Sequence, residues 1–411
     1  MKRATQILTT LLLTAAVSFS QSPGRQSALA LEDQGKIPEA ESAWRALSKA
    51  QPANPEPYAH LGLLEARQQH YTEAVPLYRK ALDLNPNVSG LRLNLALALF
   101  KGGQLNEAIP EFETLRKTAP PGSPDAQRLT ILLGMAHYGI AQYPEAIPYL
   151  REAAAHDQQN LPLRLALAHS CLWSKQYQCV MDIYHEMLAL NADSAEADML
   201  AGEALDELKD NAGAVDQFRA AEKANPNEPN VHFGLGYLLW AQKRYPEAAP
   251  EFQLELANDP LHTQSLLYLG DTDLQLNKPE EARPLLEKAV QLDPSMWLAD
   301  LDLGIIDSDA GRNDEALREL QLAENLKPDE VNVHWRLGRL YRTMGRKDEA
   351  KVELEKASKL NKAADEDLYQ KINNGHPRST SPQPVSPPSD PQQPAQQPNS
   401  QQPAAQPAPQ P

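Results

Sequence analysis

The chain has 411 residues, a formal charge of −16 from 55 acids and 39 bases, and 35 prolines against 19 glycines. Ala and Leu dominate the apolar residues and β-branched residues are sparse, which predicts an all-helical protein. So acidic a chain repels phosphate backbones, excluding sequence-independent nucleic-acid binding, and two cysteines exclude a multi-bridge scaffold or a four-thiolate zinc site.

The first element, residues 1–20, reads as an export signal. Lys2 and Arg3 precede a diluted apolar run from Ile7 to Phe19, and Ser18 and Ser20 are small residues at cleavage spacing before Gln21. The run is shorter than the roughly 20 residues of a membrane span, so cleavage is expected, with a retained signal anchor as the alternative. The expected destination is the periplasm or the exterior, without stable membrane insertion.

From Gln21 to Ala364 one period organises the chain: ten frames of 34 residues, at 21–54, 55–88, 89–122, 127–160, 161–194, 195–228, 229–262, 263–296, 297–330 and 331–364, with an insertion at 123–126. Position 8 is Ala or Gly in every frame, from Ala28 and Gly62 to Gly304 and Gly338. Position 24 is always large and apolar, from Trp44 and Tyr78 to Leu320 and Leu354. Position 20 is Ala in nine frames. Small residues at 8 and 20 let two antiparallel helices approach closely, and the side chain at 24 fills the space beside them. Prolines at position 32, such as Pro86 and Pro260, stop the second helix.

The seventh frame shows the pattern compactly, with Leu235, Gly236, Leu239, Tyr245, Ala248, Phe252 and Pro260. This spacing resembles that of the tetratricopeptide repeat family and extends over about 344 residues. The resemblance implies a right-handed α-solenoid of about ten helix-turn-helix repeats, whose first helices line a concave groove that is the family's usual binding surface.

Departures from the pattern carry their own expectations. Ser27 replaces the usual Leu in frame one, which suits a solvent-facing cap. The inserted Ser123, Pro124, Asp125 and Ala126 read as a helix start, adding a turn to the fourth first-helix. Prolines at position 22 (Pro76, Pro110, Pro148, Pro250, Pro284) predict second helices beginning near position 18, as at Thr72. Residues 365–375 read as a short capping helix closed by Gly375. In 376–411, 12 of 36 residues are Pro and 9 are Gln, which predicts a disordered tail serving as spacer, proline-motif ligand or solubiliser.

Catalytic and cofactor motifs fail on spacing. His185 and Glu186 lack the second His of a zinc-protease helix, and Gly234-Leu235-Gly236 lacks the third glycine of a dinucleotide loop. Asp307 to Gly311 imitates a calcium loop, but its Gly arrives one residue early. No catalysis, metal or cofactor is expected. Cys171 and Cys179 flank the inter-helix turn of frame five, where either a disulfide or two packed thiols would fit.

The family resemblance assigns first-helix positions 2, 5, 9, 12 and 13 to the groove. Those slots hold Phe100, Tyr138, Trp173, Phe233, Tyr237, Trp240 and Trp335, the acids Glu203, Asp206 and Glu207, and Arg339 and Arg342. Exposed aromatics would anchor a peptide or a sugar face; packing between helices is the alternative for each. Positions 5 and 9 are mostly apolar or acidic, as at Leu93, Leu97, Met199 and Glu203, which argues against gripping a carboxylate tail. The expected function is a non-catalytic adaptor in a bacterial cell envelope, binding a protein or peptide. The alternative is a scaffold of an envelope polysaccharide assembly or export machine.

Overall fold

The computed structural model describes residues 23–190 and 194–374; the leader at 1–20 and the Pro/Gln-rich tail at 376–411 lie outside the described residues. The described residues contain twenty α-helices and no strand. They run in pairs: α1 (Pro23–Asp33) with α2 (Ile37–Ala50), α3 (Pro55–Arg67) with α4 (Tyr71–Leu84), and α5 (Leu91–Lys101) with α6 (Leu105–Thr118). Next come α7 (Pro124–Gly139) with α8 (Tyr143–His156), α9 (Leu161–Trp173) with α10 (Tyr177–Ala189), and α11 (Ala195–Glu207) with α12 (Asn211–Ala224). Then follow α13 (Val231–Ala241) with α14 (Tyr245–Asn258), α15 (Thr263–Gln275) with α16 (Pro279–Leu292), and α17 (Trp297–Asp309) with α18 (Asn313–Leu326). The last pair is α19 (Val331–Thr343) and α20 (Lys347–Asn374). The helices α1 to α18 form one compact unit and α19 with α20 a second.

The turn inside each repeat is the same ten times. Position 15 adopts a left-handed backbone in every frame, at Gly35, Gly103, Gly311 and Gly345 but also at Gln69, Ala141, Lys175, Lys209, Lys243 and Asn277. The following amide bonds back to the carbonyl five residues earlier, as His70 to Glu65 at 2.9 Å and Arg244 to Leu239 at 2.9 Å. This satisfies a carbonyl that the first helix would otherwise leave open. All second helices then start at position 17, so Tyr71 rather than Thr72 opens α4. The position-22 prolines consequently lie one turn inside their helices, each on the exposed face, where water can serve the carbonyl that loses its amide partner.

Helix α7 is sixteen residues long, and the Ser123 hydroxyl accepts the Ala126 amide at 3.2 Å to cap its start. In the first unit each helix packs on the next, and first helices also touch from repeat to repeat, running α7, α9, α11, α13, α15, α17. The side on which successive repeats come closest is the inner side of a curved stack, so the first helices form its concave wall. Positions 8 and 24 meet within each pair. A Cβ on Gly202 would fall 2.6 Å from the Phe218 ring, and one on Gly236 would fall 2.8 Å from the Phe252 ring. Only hydrogen fits there.

At the first repeat Ser27 is exposed. The adjoining core is partly polar: Trp44, fully buried, donates its indole N–H to Glu32 and stacks on His60 with ring centroids 4.2 Å apart. In repeat five a disulfide joins Cys171 and Cys179, which decides between the bridge and the packed thiols. So short a loop restricts the unfolded chain by ~2–3 kcal/mol, and Cys171→Ala with Cys179→Ala is expected to lose that amount from the urea unfolding of this region. An unchanged midpoint would mean the helices already hold what the bridge constrains.

Polar pairs recur between positions 4 and 23 of a repeat. Arg92 meets Glu111 at 2.5 Å, and His232 meets Glu251 at 2.9 Å. In repeat nine the pair is two acids. Asp300 is 2% exposed, its Oδ1 has no hydrogen-bond partner, and burial together with the charge of Glu319 pushes its carboxyl up from 3.8 to about 6. The folded chain therefore binds more protons than the unfolded chain between those two values. Stability falls as pH rises through that window and stays lower above it. Asp300→Asn is expected to stabilise the protein by about 1–2 kcal/mol at pH 7.5 and to change little at pH 4. Equal effects at both pH values would show that the carboxyl is not held neutral.

In the second unit, Leu354 lies where a Cβ on Gly338 would come within 2.7 Å, and His334 Nδ1 meets Glu353 at 2.7 Å. The segment expected to form a separate cap instead continues α20 without a break to Asn374, because nothing between Lys347 and Asn374 interrupts helical propensity. No helix among the described residues is long and apolar enough to cross a membrane.

Candidate binding groove

The concave wall brings most of the sequence-assigned aromatics into two clusters. The first lies on α13 and α15. Phe233 and Tyr237 stand one helical turn apart with centroids 6.1 Å apart, and Tyr237 is 5.7 Å from Trp240. Tyr268 from α15 closes the group, 5.2 Å from Tyr237, 4.8 Å from Trp240 and 6.1 Å from Phe233. His262 adds a ring 5.0 Å from Phe233. Burial, then the neighbouring Tyr237 and Asp271, push the Tyr268 hydroxyl up to about 12, so it is a neutral donor at every working pH. Trp240 donates its indole N–H to the buried Asp271, which fixes its ring. Tyr237 keeps its outer face open at 37% exposure.

The second cluster lies on α7, α8 and α9. Tyr138 is edge-on to Tyr143 at 6.0 Å and to His169 at 6.4 Å, and Trp173 lies over Tyr143 at 5.7 Å. Trp173 is 66% exposed, so its ring has one face on Tyr143 and much of the remainder in water. His169 reaches Glu196 on α11 at 3.2 Å, and burial lowers the affinity of that imidazole for a proton.

Between the two clusters runs the acidic face of α11, whose neighbours are α9 and α13. Glu196, Glu203 and Glu207 are exposed and Asp206 is half-buried. The Glu203 carboxyl nonetheless sits above its ordinary range because of desolvation, and the Glu196 carboxyl does so through desolvation and then the charge of Glu228. A residue that touches water yet is desolvated by surrounding protein is what a recessed, concave surface produces. Acids gathered there attract cationic groups.

Phe100 stands apart, its ring edge against buried Phe112, 6.0 Å away. In the second unit Trp335 is 40% exposed and carries the Arg339 guanidinium 4.8 Å over its ring. Arg342 borders a shallow depression with Lys347, Lys351 and Leu354. Tyr143, Tyr268 and His262 join the clusters from outside the groove slots, at positions 17, 6 and 34 of their frames, and His169 joins them from slot 9 as an imidazole rather than a large aromatic ring. The imitation calcium loop is used otherwise: Asp307 takes both Arg283 and Arg312.

Family models for the tetratricopeptide repeat match residues 25–89, 183–229 and 199–263, residues 65–130 and 273–330, and residues 331–363. The chain is 22% identical over 222 residues to the TPR repeat-containing protein YpiA of Bacillus subtilis, a match covering 54% of this chain and 51% of YpiA. It is 25% identical over 256 residues to the DnaJ homolog subfamily C member 7 homolog of Schizosaccharomyces pombe, covering 53% and 52%. The chain therefore spans about half the length of the curated relatives it matches. Among solved structures it is similar to MamA, with a TM-score of 0.36 and 21% identity over 40% of this chain and 96% of that one. It is also similar to YrrB, described as a TPR protein with an unusual peptide-binding site, with a TM-score of 0.38 and 20% identity over 46% and 97%. With family models matching most of its repeats and position 8 packed beneath position 24 in helix pair after helix pair, the chain belongs to the tetratricopeptide repeat family.

Proposed function

We propose that this protein is a non-catalytic adaptor of a bacterial cell envelope, holding a segment of a partner protein along the concave wall of α7 to α15. The observation that carries this reading is the alternation of open aromatics and acids, with Trp173 and Tyr237 on either side of Glu196, Glu203 and Glu207. Such a surface suits a segment in which aromatic or apolar side chains alternate with Lys or Arg. Export agrees with the signal-like residues 1–20 and with the Cys171–Cys179 bridge, a bond that persists in oxidising compartments.

An array of peptides combining aromatic and basic residues tests the proposal. Retention is expected to fall steeply between about 0.05 and 0.5 M salt, and acidic versions of the same peptides should not be retained. Retention of acidic and basic peptides alike would overturn it. One feature favours a second reading, a scaffold that contacts envelope polysaccharide: Trp173 rests one side of its ring on Tyr143 and leaves much of the remainder open, the geometry that receives a sugar. Glycan-column retention lost in Trp173→Ala, with no peptide retained, would favour that reading.

A further inference from the structure

A buried histidine outside the groove faces two carboxylates from two other helices. His232 on α13 is 3% exposed. Its Nε2–H donates to the Pro226 carbonyl at 3.0 Å, which leaves Nδ1 as the ring nitrogen free to take a second proton or a metal ion. What Nδ1 faces is two carboxylates: Glu251 of α14 at 2.9 Å and Glu222 of α12 at 4.0 Å. One ligand atom from each of the three residues lies within 4.8 Å of the other two.

The repeat frame supplies an internal control. In repeat three the same positions, 4 and 23, hold Arg92 and Glu111, a permanent single positive charge against a single carboxylate. Position 28 of the repeat before it is then Leu82. Where position 4 becomes His232, position 28 of the preceding repeat becomes Glu222, so a second acid accompanies the loss of the arginine. Glu occurs at position 28 only as Glu222 and Glu324, and His occurs at position 4 only as His232 and His334, each in the repeat that follows. Two carboxylates and an imidazole lone pair form a site for a doubly charged ion.

We propose that Glu222, His232 and Glu251 bind a divalent transition-metal ion of the zinc class, which ties α12, α13 and α14 together across the junction of repeats six and seven. Zinc takes imidazole nitrogen and carboxylate oxygen at about 2.0–2.2 Å in a tetrahedron, so its ligand atoms sit about 3.3–3.5 Å apart. The observed separations bracket that value, and side-chain adjustments of under about 1 Å would close the set around an ion. The Pro226 carbonyl, which also accepts from Asn258 Nδ2 at 3.2 Å, holds the imidazole in the ligating tautomer, as outer partners of metal-bound histidines do. The Glu222 side chain is 33% exposed and gives the ion a way in, with water as the fourth ligand.

The test is a Zn²⁺ titration of the chelator-stripped full chain by calorimetry at pH 7.5, with Co²⁺ absorption as a second readout of tetrahedral coordination. Losing an outer partner of a metal site already costs about 10–100-fold in affinity, so losing a direct ligand should cost no less. Glu222→Gln, at a partly exposed position that should not disturb folding, is expected to weaken one equivalent of Zn²⁺ at least about tenfold. Glu251→Gln and His232→Asn should remove that same equivalent and its visible Co²⁺ bands, while circular dichroism confirms that each variant remains helical. No bound Zn²⁺, or an equivalent count and affinity unchanged in Glu222→Gln and Glu251→Gln, would overturn the site and leave His232 as an imidazolium ion pair.

Discussion

Phe252→Ala is expected to cost about 3–5 kcal/mol. The ring is fully buried at position 24 of repeat seven, stands against the space that Gly236 leaves open, and lies 6.2 Å from Phe233 and 6.1 Å from Tyr268. Truncation forfeits the transfer of an aromatic ring and leaves a cavity that the helix pair cannot collapse into, since α13 and α14 are already in close approach. Stability in a repeat stack is a sum of repeat terms and nearest-neighbour interfaces, so the damage should stay local. Hydrogen exchange is expected to speed up across α13, α14 and α15 while α3 to α6 keep their protection. Phe252→Leu should be milder, because repeats four, eight and nine already carry Leu150, Leu286 and Leu320 there. Protection lost evenly along the whole chain would show that the repeats do not unfold semi-independently.

The helix pairs were legible because their packing depends on residues in one frame. Ala or Gly at position 8 and a bulky side chain at 24 are a donor of space and its occupant, and the pattern is repeated ten times. The left-handed turn at position 15 was not legible. Gly marks it in four repeats, but Gln69, Ala141, Lys175 and three others hold the same backbone because the helices on both sides require it, at a cost a lone sequence does not reveal. The single α20 escaped for a related reason: an acidic pair such as Asp365 and Glu366 starts a helix only where the preceding one has stopped, and here it has not. The groove was half legible. Phe233, Tyr237 and Trp240 occupy assigned slots, whereas Tyr268 comes from position 6, a packing slot, and joins them only because α13 and α15 touch. The triplet around His232 was hidden because its members lie at positions 28, 4 and 23 on three helices, so no single frame position carries the signal.

Within the groove, Tyr237→Ala should separate binding from folding, and the contrast with Trp240→Ala shows why. Trp240 is both part of the aromatic floor and the donor to Asp271, which is only 5% exposed. Removing it leaves a buried carboxylate oxygen without that donor, so Trp240→Ala is expected to lower both stability and affinity. Tyr237 leans on Trp240 and Tyr268 but makes its remaining surface available, so its loss exposes the cluster without unsatisfying a buried group. An aromatic anchor of this kind contributes about 1–2 kcal/mol, so Tyr237→Ala should weaken an aromatic-basic peptide about 5–30-fold in fluorescence anisotropy. Its unfolding should shift by about 0.5 kcal/mol or less. Glu203→Gln combined with Glu207→Gln acts on the other half of the recognition. Taking two charges from the floor between the clusters should flatten the salt dependence of binding more than it lowers affinity at high salt. Binding that survives Tyr237→Ala unchanged, with its salt dependence intact in the double glutamine variant, would place the partner elsewhere than on the concave wall.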